Sequence, residues 1–151
     1  MKKYVLGFAY CPKFYLLIQK THPEFQFGKL NGIGGAIEDG ETPIGSMVRE
    51  FQEEAGIITK TKQWLPIGKI IGKDFEVFVY KTYIFEDQYN PSNLKHEVVV
   101  SDINLTKNPS EEKVYLVHED ALNYLNDRGW LMSNIMSMIK SNGNNNIFLE
   151  S

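Results

Sequence analysis

A chain of 151 residues with 42% hydrophobic and 13% aromatic residues can bury one ordinary core, which argues against disorder and against a second domain. Its net charge of −3 excludes a broad basic field for duplex nucleic acid, and a single cysteine, Cys11, excludes an intramolecular disulfide. The apolar run after Met1-Lys2-Lys3 is broken by Gly7, Tyr10 and Pro12, and no run approaches the ~18 apolar residues of a membrane span, so the expectation is a cytoplasmic protein without a membrane partner.

Tyr4 to Tyr10 and Phe14 to Lys20 are rich in aromatic and aliphatic residues and are separated by Cys11-Pro12-Lys13. They predict a hairpin or two adjacent strands at the edge of the sheet, with Cys11 a buried or strand-edge residue rather than a nucleophile. Thr21 to Gly32 is a polar, glycine-bearing loop that carries Phe25 and Phe27. Loops of this kind, held by a rigid scaffold, often contact ligand.

The next stretch, Gly35 to Ile57, carries the chemistry. It predicts a helix from about Thr42 to Ala55, with Thr42 as N-cap, Pro43 at the first helical position, and Gly34, Gly35 and Gly40 freeing the turn before it to bring backbone groups to a metal or a phosphate. Glu50, Glu53 and Glu54 then stand at i, i+3 and i+4 on one face. Like charges roughly 5 Å apart repel by about 3 kcal/mol per pair at an effective dielectric near 20. A hard divalent cation removes that repulsion, and oxygen-only ligands on a short rigid element suit Mg²⁺ or Mn²⁺. Three glutamates alone would more simply describe a solvated helix face; the pattern around them argues for more.

Beyond the helix, Ile67 to Ile71 and the alternating Phe75 to Phe85 predict two strands joined by the turn Gly72-Lys73-Asp74. Glu86 to Ser110 is a polar loop with one short apolar run, Val98 to Val100. Lys113 to Val117 predicts the final strand, followed by helices over Glu119 to Asn126 and Trp130 to Lys140, with Met132, Met136 and Met138 as core. Residues 1–140 are thus expected to form one domain, and 141–151, opening on Ser-Asn-Gly-Asn-Asn-Asn, a polar tail outside it.

From Gly35 the chain reads G-x5-E-x7-R-E-U-x-E-E-x-G-U without a miss, through Glu41, Arg49, Glu50, Phe51 as the apolar U, Glu53, Glu54, Gly56 and Ile57. This resembles the signature of the Nudix hydrolases, in which an aliphatic residue is usual where Phe51 stands. The order of elements is similar to that fold throughout. The resemblance implies an α/β (α+β) architecture, a mixed sheet sandwiched between helices. It also implies cleavage of the pyrophosphate of a nucleoside diphosphate linked to a further group X, with Mg²⁺ or Mn²⁺ and water. Carried over by position, Glu50, Glu53, Glu54 and the carbonyl of Gly35 are the implied metal ligands, with Glu112 a further one from a loop, and Arg49 and Glu41 the catalytic residues that hold the constellation in place. The general base is first Glu50, with Glu97, Glu111 or Glu112 as loop alternatives and Glu112 preferred among them.

The approach FGKLNGIGG is similar to the MutT-like branch, so the expected substrate is a (deoxy)nucleoside triphosphate. Asn31 would read a purine edge, Gly34 and Gly35 would meet phosphate, and Phe27, or Phe25 or Tyr89, would stack on the base; Asn31 is equally suited to a turn before Gly32. Leu30 and Ala36 depart from that branch, and the late region offers only Asp127 and Trp130 in place of an acidic pair with tryptophan. Markers of an ADP-ribose or dinucleoside polyphosphate enzyme are not clearly matched by Pro66 or Tyr80, which leaves those substrates, FAD and capped RNA as alternatives. RNA would need Lys13, Lys20, Lys29, Lys60, Lys62, Lys69, Lys73 and Lys81 to share a face. A nucleotide sensor without catalysis is the rival class, and either a monomer or a homodimer fits.

Overall fold

A strand that is apolar at consecutive positions must be covered on both faces, and Val5, Leu6, Phe8 and Ala9 are all buried. The computed structural model describes residues 1–85, 88, 97–99, 106–120, 137, 139–140 and 145–149. In it that run lies within β1 (Lys2–Cys11), at the middle of a mixed sheet. The other strands are β2 (Phe14–Gln19), β3 (Leu30–Asn31), β4 (Ile33–Ala36), β5 (Leu65–Ile71), β6 (Phe75–Tyr83), β7 (Glu97–Val99), β8 (Lys113–His118) and β9 (Asn145–Phe148), and α1 spans Pro43–Ala55. Their order is β7-β8-β2-β1-β6-β5-β9, with parallel pairs at β1/β6, β5/β9 and β7/β8. The hairpin expected at the sheet edge is therefore at its centre, because apolar side chains on both faces of β1 demand neighbours and cover on every side.

One irregularity places the functional stretch. β6 takes one whole edge of β1, whereas the other edge is shared: β2 pairs with Ala9 to Cys11 and β4 with Tyr4 to Gly7. Past Leu16, β2 leaves β1 and pairs on that edge with β3, while β8 runs along its other edge from Phe14 to Gln19. The sheet thus opens between the end of β2 and the start of β1, and the glycine turn enters that opening.

Alternation along the strands divides the core in two. Leu6, Phe8, Leu17, Val77, Val79 and Tyr115 belong to one cluster, joined by Ile139 from a helical segment; Val5, Ala9, Leu16, Ile18, Tyr80 and Val114 belong to the other, with Met47, Phe51 and Ala55 of α1. Helical residues therefore pack on both sides of a mixed sheet.

The expected strands around Gly72 form as β5 and β6, and the loop before the glycine turn contains β3 and a short 3₁₀ turn at Glu24–Gln26. The strand at Lys113 is not the last. Asn145 to Phe148, read as part of a polar tail, runs parallel to β5, and the Leu149 N–H donates to the Ile71 carbonyl at 2.8 Å. Pairing here uses backbone groups, which polar asparagines possess as fully as any residue, while Ile147 and Leu149 pack on the core. Of the second late helix, Ser137, Ile139 and Lys140 are helical; residues 121–126 of the first, with Asp127, Trp130, Met132, Met136 and Met138, lie outside the described residues, as does Tyr89. Among the described residues no helix is long and apolar enough to cross a membrane.

Candidate functional site

Helix α1 begins and ends where its sequence says it should. Thr42 Oγ1 accepts from the Gly45 N–H at 3.1 Å, Pro43 follows, and Gly56 stops the helix in the left-handed region at φ 73°. Met47, Phe51 and Ala55 are buried on the sheet, so Arg49, Glu50, Glu53 and Glu54 are turned away from it toward the glycine turn and the loops. The bulk of Phe51 is accommodated edge-on against Trp64 at 5.1 Å between ring centres, and Trp64 donates to Thr59 at 2.8 Å.

Arg49 organises one side of this face. Its Nε and one terminal nitrogen bind both oxygens of Glu41 at 2.8 and 2.9 Å, and the other terminal nitrogen reaches Glu50 at 3.0 Å and Glu53 at 3.2 Å. It also donates to the Ala36 carbonyl at 3.1 Å, which ties the helix to the end of β4. Glu41 accepts in addition from Ser46 Oγ at 2.7 Å and the Glu38 N–H at 2.9 Å. Together the Arg49 and Ser46 bonds and that N–H hold the Glu41 carboxyl down at about 2, while Glu41 pushes the guanidinium further above its ordinary value.

The other side is built differently. Burial pushes Glu54 up to about 7; Lys20 opposes this, the charges of Glu50 and Glu112 add to it, and the Gly34 N–H donates to the carboxylate. Oε2 of Glu54 is buried, and no donor among the described residues reaches it. Glu50 is also raised by burial, against the pull of Arg49. Its carboxylate fills the place a side chain at Gly35 would need, since a Cβ there would stand 2.5 to 2.8 Å from its atoms. Only glycine lets the turn come this close.

Glu112, at the entrance to β8, completes the group from far along the chain. It accepts from the Thr21 N–H at 3.0 Å and lies 3.3 Å from Lys20 Nζ and 3.5 Å from His22 Nδ1. Burial would raise it, but the Thr21 N–H and Lys20 win and hold it below its ordinary value. Among the described residues, no three acidic, histidine or cysteine groups are gathered closely enough to enclose a cation. Arg49 holds Glu50 and Glu53, and Lys20 holds Glu112.

The structure thus brings Glu41, Arg49, Glu50, Glu54, Gly34, Gly35 and Glu112 into one neighbourhood. Glu53 sits at its rim, with a side chain 59% exposed and Arg49 as its ion-pair partner. Glu111 is exposed, and Glu97 is placed by its backbone in β7 opposite Tyr115. Asn31 is buried in β3 and engaged: its Nδ2 donates to Gln26 at 3.1 Å and its Oδ1 accepts from the Gly32 N–H at 2.7 Å. Phe27 is exposed on the loop before β3. Of the lysines considered for an RNA path, Lys20 is paired with Glu112, Lys69 lies over Phe78 and beside Glu76, and Lys81 donates to the Ile139 carbonyl. Sequence reasoning passed over Lys20 as a member of the site, and Ser46 and Gln26 altogether. The polar residue ending an apolar strand was the available signal for Lys20.

With this geometry established, the chain belongs to the Nudix family: the family model for the NUDIX domain matches residues 7–130. No curated protein sequence matches it. Among solved structures it is similar to a MutT protein from Bacillus halodurans, with 17% identity, a TM-score of 0.65, and 99% of this chain and 90% of that one covered. A MutT structure described for Aliivibrio salmonicida and Vibrio cholerae gives 15% identity and 0.59 over 92% and 94%. A bifunctional NMN adenylyltransferase/ADP-ribose pyrophosphatase from Francisella tularensis gives 16% and 0.59 over 91% of this chain and 40% of that one. At these identities the likeness is one of fold.

Proposed function

We propose that the protein is a Mg²⁺- or Mn²⁺-dependent hydrolase that cleaves the pyrophosphate of a nucleoside diphosphate linked to X, with a (deoxy)nucleoside triphosphate as the first substrate to test. The observation that carries this reading is the buried Oε2 of Glu54, without a partner among the described residues, beside Glu50 and Glu112. A buried carboxylate oxygen without a donor fits a group that completes it, and all the ligand atoms here are oxygens, as a hard cation requires. Glu54 and Glu50 with the Gly35 carbonyl would hold the cation, Glu53 would join from the rim and Glu112 from its loop. When bound it supplies charge neutralisation at the phosphoryl oxygens and a more acidic water.

The chain's own residues do the rest. Arg49, braced on both oxygens of Glu41, keeps Glu50 turned toward the glycine turn. Glu50 or Glu112 takes the proton of the attacking water. Lys20, beside Glu112, lies where it adds positive charge for a polyphosphate.

A panel incubated with Mg²⁺ and resolved by chromatography tests the reading: dGTP, 8-oxo-dGTP, ATP, ADP-ribose, diadenosine polyphosphates, FAD and capped RNA. Triphosphate turnover giving monophosphate and pyrophosphate is expected. AMP from ADP-ribose or dinucleotides would move X to that class. No turnover with either metal would contradict the hydrolase reading and favour a sensor.

A further inference from the structure

Gln19, the last residue of β2, carries a polar side chain that is only 1% exposed. Its Nε2 donates to two backbone carbonyls on separate segments, Gly28 at 3.0 Å and Thr106 at 2.8 Å. Both amide hydrogens are used, whereas no donor among the described residues reaches the buried Oε1. An apolar side chain of the same shape would leave no such orphan, so the amide at this position serves geometry more than stability.

The two segments it joins carry the far half of the site. The 20–29 loop is closed on itself by Gly28 N–H to Lys20 carbonyl at 2.7 Å and Lys20 N–H to Lys29 carbonyl at 2.8 Å. Gly28 lies so near the second segment that a Cβ on it would stand 3.2 Å from the Lys107 carbonyl. The 106–112 segment ends at Glu112, which returns to the same loop through the Thr21 N–H and Lys20. The segments are thus fastened twice, by Gln19 at Thr106 and by Glu112 itself at Thr21. Because the Gln19 amide acts on the backbone, it fixes where the segment starts its approach to Glu54.

We infer that Gln19 is a positioning residue: its amide clasps the 20–29 loop to the 106–112 segment and so sets Glu112 against the α1 glutamates. The inference rests on the proposed hydrolase only in its kinetic consequence. Gln19→Met keeps the length and removes both donors and the orphan acceptor. It is expected to fold, to lower kcat about tenfold with KM within about twofold, and to have no further effect on kcat in a Glu112→Gln background, since a displaced group that no longer works cannot be displaced again. Independently of turnover, the Thr21 amide is expected to exchange with solvent about tenfold faster in Gln19→Met, with exchange in α1 unchanged. An equal loss of kcat in both backgrounds, or no loss, would overturn the inference, as would an unchanged Thr21 amide. Absence of turnover in the wild type would remove the hydrolase reading and leave the exchange experiment to decide the clasp. Gln19→Asn, one methylene shorter and unable to reach both carbonyls, serves if the methionine variant does not fold.

Discussion

The two ends of the α1 glutamate face differ in how completely they are satisfied. At the Arg49 end, every guanidinium nitrogen has a carboxylate or carbonyl partner, and Glu41 accepts from three residues. At the Glu54 end, a half-buried carboxylate stands beside two others, with one buried oxygen that no donor among the described residues reaches. The first arrangement is what a scaffold needs and the second is what a ligand completes. The same short helix builds both, because its charged residues step around it while Met47, Phe51 and Ala55 fix its rotation on the sheet.

The largest effect should come from breaking the incomplete end. Glu54→Gln is expected to lower kcat by at least ~10²-fold while the fold survives, and Glu53→Gln to do the same from the rim. Steady-state rates with circular dichroism check both, and near-wild-type rates in both would refute the assigned site. Breaking the scaffold end should matter less: Arg49→Lys loses the two-pronged contact to Glu41 and is expected to lower kcat by about 10-fold or more with substrate KM little changed.

Protonation separates the ends in the metal-free protein. Glu54 is raised to about 7 from an ordinary carboxylate value, so between about pH 5 and 7 the unfolded chain is ionised there and the folded one is not. Its contribution therefore weakens the fold as pH rises through that window and levels off above it. Glu41, held down at about 2, contributes stability above its ordinary range that is lost as pH falls toward that value. Urea midpoints across pH should show Glu54→Gln flattening the upper window, and Glu41→Gln the lower one. The smallest effect belongs to the cap: Thr42→Ala is expected to cost about 1 kcal/mol of stability, measured by urea unfolding, and to leave kcat unchanged.

The same contrast explains what the sequence revealed. Helix α1, its cap at Thr42, its stop at Gly56 and the shared face of Glu50, Glu53 and Glu54 all follow from neighbours within a few turns, and local spacing carries that information. β1 reads as an edge strand in sequence because its pairing with β4 and β6 depends on residues 26 to 32 and 73 positions away. Lys20 and Glu112 meet across 92 positions, and β9 covers β5 through backbone groups that composition does not report. Asn31 reads as a base contact or a turn residue in sequence, and only the fold reveals that Gln26 and Gly32 occupy its amide.

The central claim is that Oε2 of Glu54, which no donor among the described residues reaches, is completed by a divalent cation, and Mn²⁺ titration of the metal-free wild type and Glu54→Gln, followed by electron paramagnetic resonance, addresses it without a substrate. The account predicts binding by the wild type and affinity weaker by at least about tenfold in the variant. Equal affinity in the two proteins would contradict it.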